Sequence, residues 1–301
     1  MEEHRATHNV FPSAEEDAGA ALRAVETPQT RSSSYRLAFI DPDFLLRDKL
    51  RPVRLQLELL KPELLQQEYG IDATVVIFGS TRIPDAAAAA QRLAQVAAQA
   101  SQEPIHADLA RQVDIARRVL AKSHYYDEAR RLGHLITTQA EQAGLGRLVV
   151  ITGGGPGIME AANRGAYDAG GPTIGLNIVL PHEQCPNPYI TPELSFQFHY
   201  FAIRKMHFLL RAKALATFPG GFGTLDELFE TLTLIQTHKV QPVPVLLFGE
   251  DYWRRIVNFE ALVDEGTIAP EDLGLFRYVA TAEEAWEAIA AFYRDKDGTE
   301  A

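Results

Sequence analysis

The sequence predicts an α/β fold in which a doubly wound parallel sheet is covered by helices on both faces. Five short runs rich in apolar and β-branched residues indicate buried strands, and long helical stretches separate most of them. Continuous apolar strands that alternate with helices are typical of parallel sheets with two covered faces. The runs are ATVVIFGS (73–80), RLVVITGGG (147–155), TIGLNIV (173–179), ALATFPGG (214–221) and VPVLLFG (243–249).

Three of these runs end in glycine-rich turns, at 79–80, 153–155 and 220–221. In open parallel sheets, ligands bind beyond the carboxyl ends of the strands. Because parallel strands end at the same edge of the sheet, we expect the three turns to lie close together and to form a ligand site.

Composition divides the chain into three segments. Residues 1–34 contain few large apolar side chains, and we interpret them as a flexible tail. Helical apolar spacing broken by prolines predicts an N-terminal helical extension over residues 35–70. Residues 71–301 form the predicted α/β domain, in which the segment 106–144 has the composition of one long helix or two shorter ones.

The composition also excludes several classes of protein. The 301 residues carry a formal net charge of −11, which argues against a nucleic-acid polymer as partner, since general nucleic-acid binders present a basic face. The single cysteine, Cys185, leaves no internal disulfide framework and favours a cytoplasmic location. No apolar run reaches the length of a membrane span and the N-terminus lacks the apolar core of a secretory signal, so we expect no membrane partner.

The segment GGGPGIMEAANRGAYDAGG (153–171) follows a predicted strand and opens a predicted helix. Its glycines would let the backbone approach a ligand, which the free N–H groups of the first helical turn would face. The dinucleotide fingerprint is incomplete, because Ile158 stands where G-x-G-x-x-G requires its third glycine, and no Walker A sequence occurs. A tight turn without a ligand is the alternative.

The segment PGGFGTLDE (219–227) has the same setting between strand and helix. Its glycine N–H groups, with the hydroxyl of Thr224 at the predicted N-cap, suit a phosphate. Asp226 and Glu227 could simply complement the helix dipole, an effect of about 0.3–1 kcal/mol. The other interpretation is that Glu227 is a catalytic carboxylate held beside a bound phosphate.

The segment FHYFAIRKMHFLLRAKA (198–214) is predicted to be helical and carries Arg204 and Lys205 near its start. In a right-handed crossover, a helix begins at the carboxyl edge of the sheet. Arg204 could therefore meet the phosphate or the carboxylate of Glu227, and a solvated basic pair is the alternative.

Three motifs together resemble those of the LOG (Lonely Guy) family, the cytokinin riboside 5′-monophosphate phosphoribohydrolases and their bacterial relatives. In chain order they are GGGPGIMEAANRGA, the Arg-Lys pair and PGGFGTLDE. The resemblance covers about residues 73–293. The N-terminal segment outside it indicates the longer bacterial type. The resemblance implies a Rossmann-like fold and a homodimer or higher homo-oligomer. It also implies hydrolysis of the N-glycosidic bond of a nucleoside 5′-monophosphate, AMP or a cytokinin riboside 5′-monophosphate, releasing free base and ribose 5-phosphate.

The resemblance further implies a catalytic pair, Arg204 and Glu227, and no metal or other cofactor. Some members carry a lysine decarboxylase label, but no lysine here stands in a recognisable Schiff-base context, so we expect no pyridoxal cofactor. The implied substrate and phosphate contacts come from Gly79, Ser80, Gly153, Gly154, Gly155, Gly157, Lys205, Gly220, Gly221, Gly223 and Thr224.

This assignment explains why a helix start that binds an anion should carry a carboxylate. Breaking a glycosidic bond develops positive charge on the ribose. A carboxylate beside the ribose stabilises that charge and can align or deprotonate the attacking water. Arg204 would orient Glu227 and keep it ionised despite the phosphate.

Two other functions stay open at this point. One is a broad-specificity nucleotide 5′-monophosphate nucleosidase unrelated to cytokinins, which only the base pocket can decide. The other is a non-catalytic nucleotide-binding or sensing module. The intact pair of Arg204 and Glu227 argues against it, because a sensor needs no carboxylate beside an anionic ligand.

Overall fold

A computed structural model describes residues 11–102, 107–181 and 185–297. The chain forms two compact units, one ending at Glu58 and the other beginning at Leu59. The divisions predicted at residues 34 and 70 stay predictions, and residues 1–10 of the predicted tail lie outside the described ranges. Within those ranges, no helix is both long enough and apolar enough to cross a membrane.

The first unit is built from short helical segments. Its helices are α1 (Ala14–Ala21), α2 (Pro42–Leu45) and the first part of α3 (Arg51–Glu68). A capping box starts α1, since Ser13 Oγ accepts from the Glu16 N–H and the Glu16 carboxylate accepts from the Ser13 N–H. Arg54 on α3 donates to the carbonyls of Leu45 and Arg47, both at 2.7 Å, and so holds the preceding turn.

The second unit is built on a sheet of seven parallel strands in the described residues, in the order β4-β3-β2-β1-β5-β6-β7. The strands are β1 (Ala73–Phe78), β2 (Leu148–Thr152), β3 (Thr173–Ile178), β4 (Ser195–Phe198), β5 (Ala212–Thr217), β6 (Val245–Phe248) and β7 (Arg277–Val279). The chain winds outwards from β1 to β4 and then returns to β5 on the other side of β1. The switch point of the topology therefore lies between β1 and β5, where open α/β sheets bind their ligands.

Helices connect these strands, and the connection from β1 to β2 holds three of them. The helices are α4 (Ala86–Gln102), α5 (Ala107–Leu120), α6 (His124–Gln139), α7 (Ile158–Asp168), α8 (Phe201–Leu209), α9 (Phe222–Gln236), α10 (Glu250–Ile256), α11 (Phe259–Asp264) and α12 (Ala282–Asp297).

Alternate strand residues pack into two hydrophobic layers, one on each face of the sheet. In β1, Val75 and Ile77 pack on the side of α6, α7 and α12, whereas Val76 and Phe78 pack on the side of α8, α9 and α10. All four side chains are buried, as the continuous apolar sequence of a strand covered on both faces requires. The predicted fold class, a Rossmann-like doubly wound parallel sheet with helical segments before it, is confirmed.

The sheet differs from the prediction at its edges. The strands β4 and β7 lie outside the five predicted runs, because they are only four and three residues long and carry polar side chains. The helix predicted over residues 198–214 is shorter in the structure, since β4 ends at Phe198 and β5 begins at Ala212. The segment 106–144 forms two helices, α5 and α6, and not one.

Candidate active site

A cavity of about 510 Å³ opens at the carboxyl ends of β1 and β5, at the switch point of the sheet. Its walls come from the loop after β1, the start of α7, the helix α8 and the start of α9. The lining residues are Phe78, Gly79, Ser80, Thr81, Arg82, Met159, Phe201, Arg204, Gly221, Phe222, Gly223, Thr224, Asp226 and Glu227. The turns after β1 and β5 thus meet in one cavity, together with Arg204 and Glu227.

Glu227 lines the cavity from the second turn of α9, and its side chain is nearly inaccessible, with 5% exposure. Among the described residues, no N–H or O–H group donates a hydrogen bond to its carboxylate. Burial raises the pKa of Glu227 to about 7, and the positive charges of Lys205 and Arg204 oppose this rise. A carboxyl group whose pKa is near neutral pH and whose oxygens accept no hydrogen bond is suited to proton transfer or to stabilising a positive charge.

Arg204 lines the same cavity from α8. Its Nε donates to the carbonyl of Leu176 at 2.7 Å, and its guanidinium lies 5.0 Å from the ring centroid of Phe208. Burial lowers the pKa of Arg204 and the charge of Glu227 partly offsets that effect, so the guanidinium stays protonated. Arg204 and Glu227 form no ion pair with each other in the described part of the chain, so Arg204 affects Glu227 through its charge and not through direct contact.

The first turn of α9 presents N–H groups to the cavity. The N-cap is Gly221, which has no capping side chain, and no acceptor in the described residues binds the N–H of Phe222, Gly223 or Thr224. Thr224, predicted as the N-cap, is the third residue of the helix, and its side chain also lines the cavity. Free N–H groups at a helix N-terminus form a ready anion site.

The GGGPG turn after β2 contributes less directly, because its glycines do not line the cavity. Asn187 Nδ2 donates to the carbonyls of Gly154 and Gly155 at 3.3 and 3.2 Å, and the Gly154 N–H donates to Thr152 Oγ1 at 3.0 Å. Gly154 and Gly157 adopt positive φ angles of 76° and 72°, which favour glycine. These bonds make the turn a rigid support for α7, and the phosphate contacts predicted for its glycines stay predictions.

Gly79 and Ser80 connect the three turns. The Ser80 N–H donates to the carbonyl of Pro219 at 3.0 Å, and the Ser80 carbonyl accepts from the Ile158 N–H at 3.2 Å. A Cβ at Gly79 would come within 2.5 Å of the Ile158 side chain, so this close approach requires glycine. The loop after β1 is therefore bonded both to the start of α7 and to the turn before α9.

Lys205 is held outside the lining of the cavity. Its Nζ forms ion pairs with Asp226 and Glu230, both at 3.0 Å, and its side chain is 16% exposed. Burial lowers the pKa of Lys205, but the hydrogen bonds to these two carboxylates outweigh it and the pKa is raised. The substrate contact predicted for Lys205 stays a prediction.

Sequence reasoning missed several lining residues: Arg82, Met159, Phe201 and Phe222. Arg82 follows the Gly79-Ser80 turn by two positions, and this closeness to a predicted ligand turn could have identified it from the sequence. The other three are apolar side chains that look like core residues in the sequence, although Phe222 is 92% exposed. Within the described ranges, no group of three or more His, Cys, Asp or Glu side chains could hold a metal ion.

The fold and the cavity define a Rossmann-like α/β enzyme with a buried carboxylate beside a helix start at the switch point of the sheet. Residues 159–289 match the family model described as "Possible lysine decarboxylase". The probable cytokinin riboside 5′-monophosphate phosphoribohydrolase LOGL3 of Oryza sativa subsp. japonica is 28% identical over 162 residues, 49% of this chain and 71% of that protein. The cytokinin riboside 5′-monophosphate phosphoribohydrolase LOG4 of Arabidopsis thaliana is 30% identical over 168 residues, 54% of this chain and 73% of that protein.

Among solved structures, the molybdenum cofactor carrier protein of Chlamydomonas reinhardtii matches with a TM-score of 0.43 and 19% identity, covering 74% of this chain and 99% of that one. The relatives named as phosphoribohydrolases identify the chain as an N-glycosyl hydrolase. It belongs to the LOG family.

Proposed function

We propose that this chain hydrolyses the N-glycosidic bond of a nucleoside 5′-monophosphate, either AMP or a cytokinin riboside 5′-monophosphate, and releases free base and ribose 5-phosphate. The observation that carries the proposal is the position of Glu227. Its buried carboxylate, without a hydrogen-bond donor in the described residues, shares one cavity with the free N–H groups that begin α9. The names of the LOG relatives support the substrate class.

The phosphate binds at the start of α9 in this proposal. The N–H groups of Phe222, Gly223 and Thr224 and the Thr224 hydroxyl supply donors, and the helix dipole favours an anion there. Arg82 lines the same cavity, so its positive charge lies beside the proposed phosphate position. Anchoring the phosphate fixes the ribose, and this remote binding energy serves to position the bond that breaks.

Glu227 acts on the ribose as a carboxylate. As the C1′–N bond lengthens, positive charge develops on the ribose, and the ionised carboxylate stabilises it. Water then adds to C1′ and transfers a proton to Glu227, while the departing base takes up a proton from solvent. Arg204 contributes its positive charge, which favours the ionised form of Glu227 beside a bound phosphate.

The direct test is to incubate the purified protein with the 5′-monophosphates of adenosine, guanosine, cytidine, uridine and N6-isopentenyladenosine and to separate the products by chromatography. We expect equal amounts of free base and ribose 5-phosphate from one or more of these nucleotides. The spread of rates across the set distinguishes a cytokinin-type enzyme from a broad nucleosidase. Absence of free base with every nucleotide would rule out the proposed activity.

We also propose that the chain forms a homodimer or larger homo-oligomer through the region of α8 and α9. We further propose that it works in the cytoplasm. Support for the assembly comes from four exposed apolar side chains on these helices, Phe201, Met206, Phe222 and Phe229. A groove of about 600 Å³ lies between the two helices and is lined mostly by apolar side chains. Exposed apolar surface of this kind marks interaction sites. The single cysteine supports the location.

Light scattering at micromolar concentration tests the assembly. We expect a dimer or larger species for the unaltered chain and a shift to smaller species for Met206→Glu, which puts a charge into the groove. A monomer in both cases would contradict the proposed assembly.

A further inference from the structure

The turn that precedes α9 is bonded to a tyrosine from a later helix. Tyr252 Oη on α10 donates a hydrogen bond to the carbonyl oxygen of Gly220 at 2.5 Å. The helix is anchored by its neighbour Trp253, which is fully buried and donates from Nε1 to the carbonyl of Phe248 at 3.0 Å. Tyr252 itself does not line the cavity, so it contacts the turn from outside.

Because the peptide bond is planar, the Tyr252 hydrogen bond also fixes the direction of the next N–H group, that of Gly221. The bond between Gly220 and Gly221 is trans, so its C=O and N–H point in opposite directions. Because Tyr252 binds the carbonyl on one side, the N–H of Gly221 points to the other side. Gly221 lines the cavity whereas Gly220 does not, and no acceptor in the described residues takes the Gly221 N–H.

The preceding peptide is restrained in a similar way. The carbonyl of Pro219 accepts from the Ser80 N–H at 3.0 Å, so it too is engaged within the protein. A Cβ at Gly220 would lie 2.1 Å from Thr224 Oγ1, which shows how closely the turn packs on the first turn of α9. Of these two restraints, the Tyr252 hydrogen bond is the one made by a side chain that can be changed alone.

We propose that Tyr252 is a positioning residue for the anion site: its hydroxyl holds the Gly220 carbonyl out of the cavity and thereby aims the Gly221 N–H at the ligand phosphate. Without this bond, the peptide is free to rotate, and a rotated peptide would present a carbonyl oxygen to the anion. Burial raises the pKa of Tyr252, so the phenol remains a donor throughout the neutral range. The identity of the anion as a substrate phosphate rests on the proposed function.

The test compares Tyr252→Phe with the unaltered protein in two measurements. The first is the dissociation constant for ribose 5-phosphate by titration calorimetry, which needs no turnover. The second is the ratio of kcat/KM for a nucleoside monophosphate to that for the corresponding nucleoside. We expect about tenfold weaker binding of ribose 5-phosphate and a similar fall in the ratio, as loss of one hydrogen bond to a charged group predicts.

The matched control is Tyr278→Phe, which removes a hydroxyl from another half-buried tyrosine that does not line the cavity. It should leave both measurements unchanged, and thermal melting should show both variants folded. Unaltered ribose 5-phosphate binding in Tyr252→Phe, or an equal loss in Tyr278→Phe, overturns the inference. No binding of ribose 5-phosphate by the unaltered protein overturns it as well. If the unaltered protein binds ribose 5-phosphate and Tyr252→Phe weakens that binding, but no base is released from any nucleotide, then the proposed function fails and the positioning role stands.

Discussion

Gly153 leaves the space in which the Arg204 guanidinium lies: a Cβ built on Gly153 would come within 2.7 Å of Arg204 Nη2. The same Cβ would lie 3.0 Å from Met159 Sδ, another residue that lines the cavity. The turn after β2 therefore shapes the cavity through the side chain of Arg204, although its own glycines do not line it.

This relationship predicts the effect of Gly153→Ala. Both atoms that the new methyl group would meet are in long flexible side chains, so the fold should tolerate the change while Arg204 is displaced. A misplacement of about 1 Å in an active site can lower the rate by about 100-fold even when the substitution lies away from the reacting atoms, so we expect a fall in kcat/KM of about 10- to 100-fold. The matched control is Gly274→Ala, since a Cβ there has open space. Unchanged activity in Gly153→Ala would show that the position of Arg204 is unimportant.

The titration of Glu227 predicts the pH profile. Its pKa of about 7 results from burial, opposed by Lys205 and Arg204 on α8 and reinforced by Glu230 and Asp226 on α9. The ionised form is the active one, so kcat/KM should rise about tenfold per pH unit below 7 and level off above it. The substrate phosphate also titrates, with a second pKa near 6. A ¹³C NMR titration of the glutamate carboxyls in the free protein shows which titration step belongs to Glu227. A profile that falls as pH increases through 7 would contradict the assignment.

The same pKa has a consequence for stability. The pKa of Glu227 rises from an ordinary 4.5 to about 7 on folding, so the folded chain binds a proton that the unfolded chain has lost. Stability contributed by this group is therefore present below the ordinary pKa and is lost as pH rises towards 7. Glu227→Gln should stabilise the protein at pH 8 by on the order of 3 kcal/mol, and much less near pH 4.5. Denaturant unfolding at both pH values measures this, and an equal effect at both would exclude a strongly raised pKa.

The Thr224 hydroxyl should matter only for substrates that carry a phosphate. Thr224→Ala removes one donor at the start of α9. It should weaken the binding of AMP and ribose 5-phosphate by about 1–2 kcal/mol and leave the binding of adenosine nearly unaffected. Thr224→Ser keeps the hydroxyl and is the matched control. The measurement is kcat/KM for AMP and adenosine in the three proteins. Equal cleavage of AMP and adenosine by the unaltered protein would mean that no phosphate binds at this turn.

Much of the fold could be predicted because the central strands are long and continuously apolar. Residues 73–78 and 148–152 are buried on both faces of the sheet, and this burial is what their composition encodes. The edge strand at 277–279 was not predicted, because three residues that include an arginine are too few to show an alternation of apolar and polar side chains. Pairing with β6 makes this segment a strand, and that tertiary contact is invisible in a local stretch of sequence.

The candidate site was predictable where glycines and charged residues stand in one continuous motif. Residues 220–227 contain the turn before α9 and the first six residues of that helix, and Arg204 lines the same cavity as Glu227. The supporting contacts were not predictable, because Asn187 and Tyr252 lie more than thirty positions from the carbonyls of Gly154 and Gly220, at separations of 33 and 32 residues. Neither side chain belongs to a motif, and only the folded chain brings it to its turn.

The most direct test of the central claim is base release from AMP by the unaltered protein and by Glu227→Gln at pH 8, where the glutamate is mostly ionised. The substitution keeps the shape of the side chain and removes its charge. Losing one preorganised group of this kind costs about 10²–10³ in rate, so we expect that loss in kcat while nucleotide binding by calorimetry is kept or tightened. Turnover near that of the unaltered protein in Glu227→Gln would contradict the account.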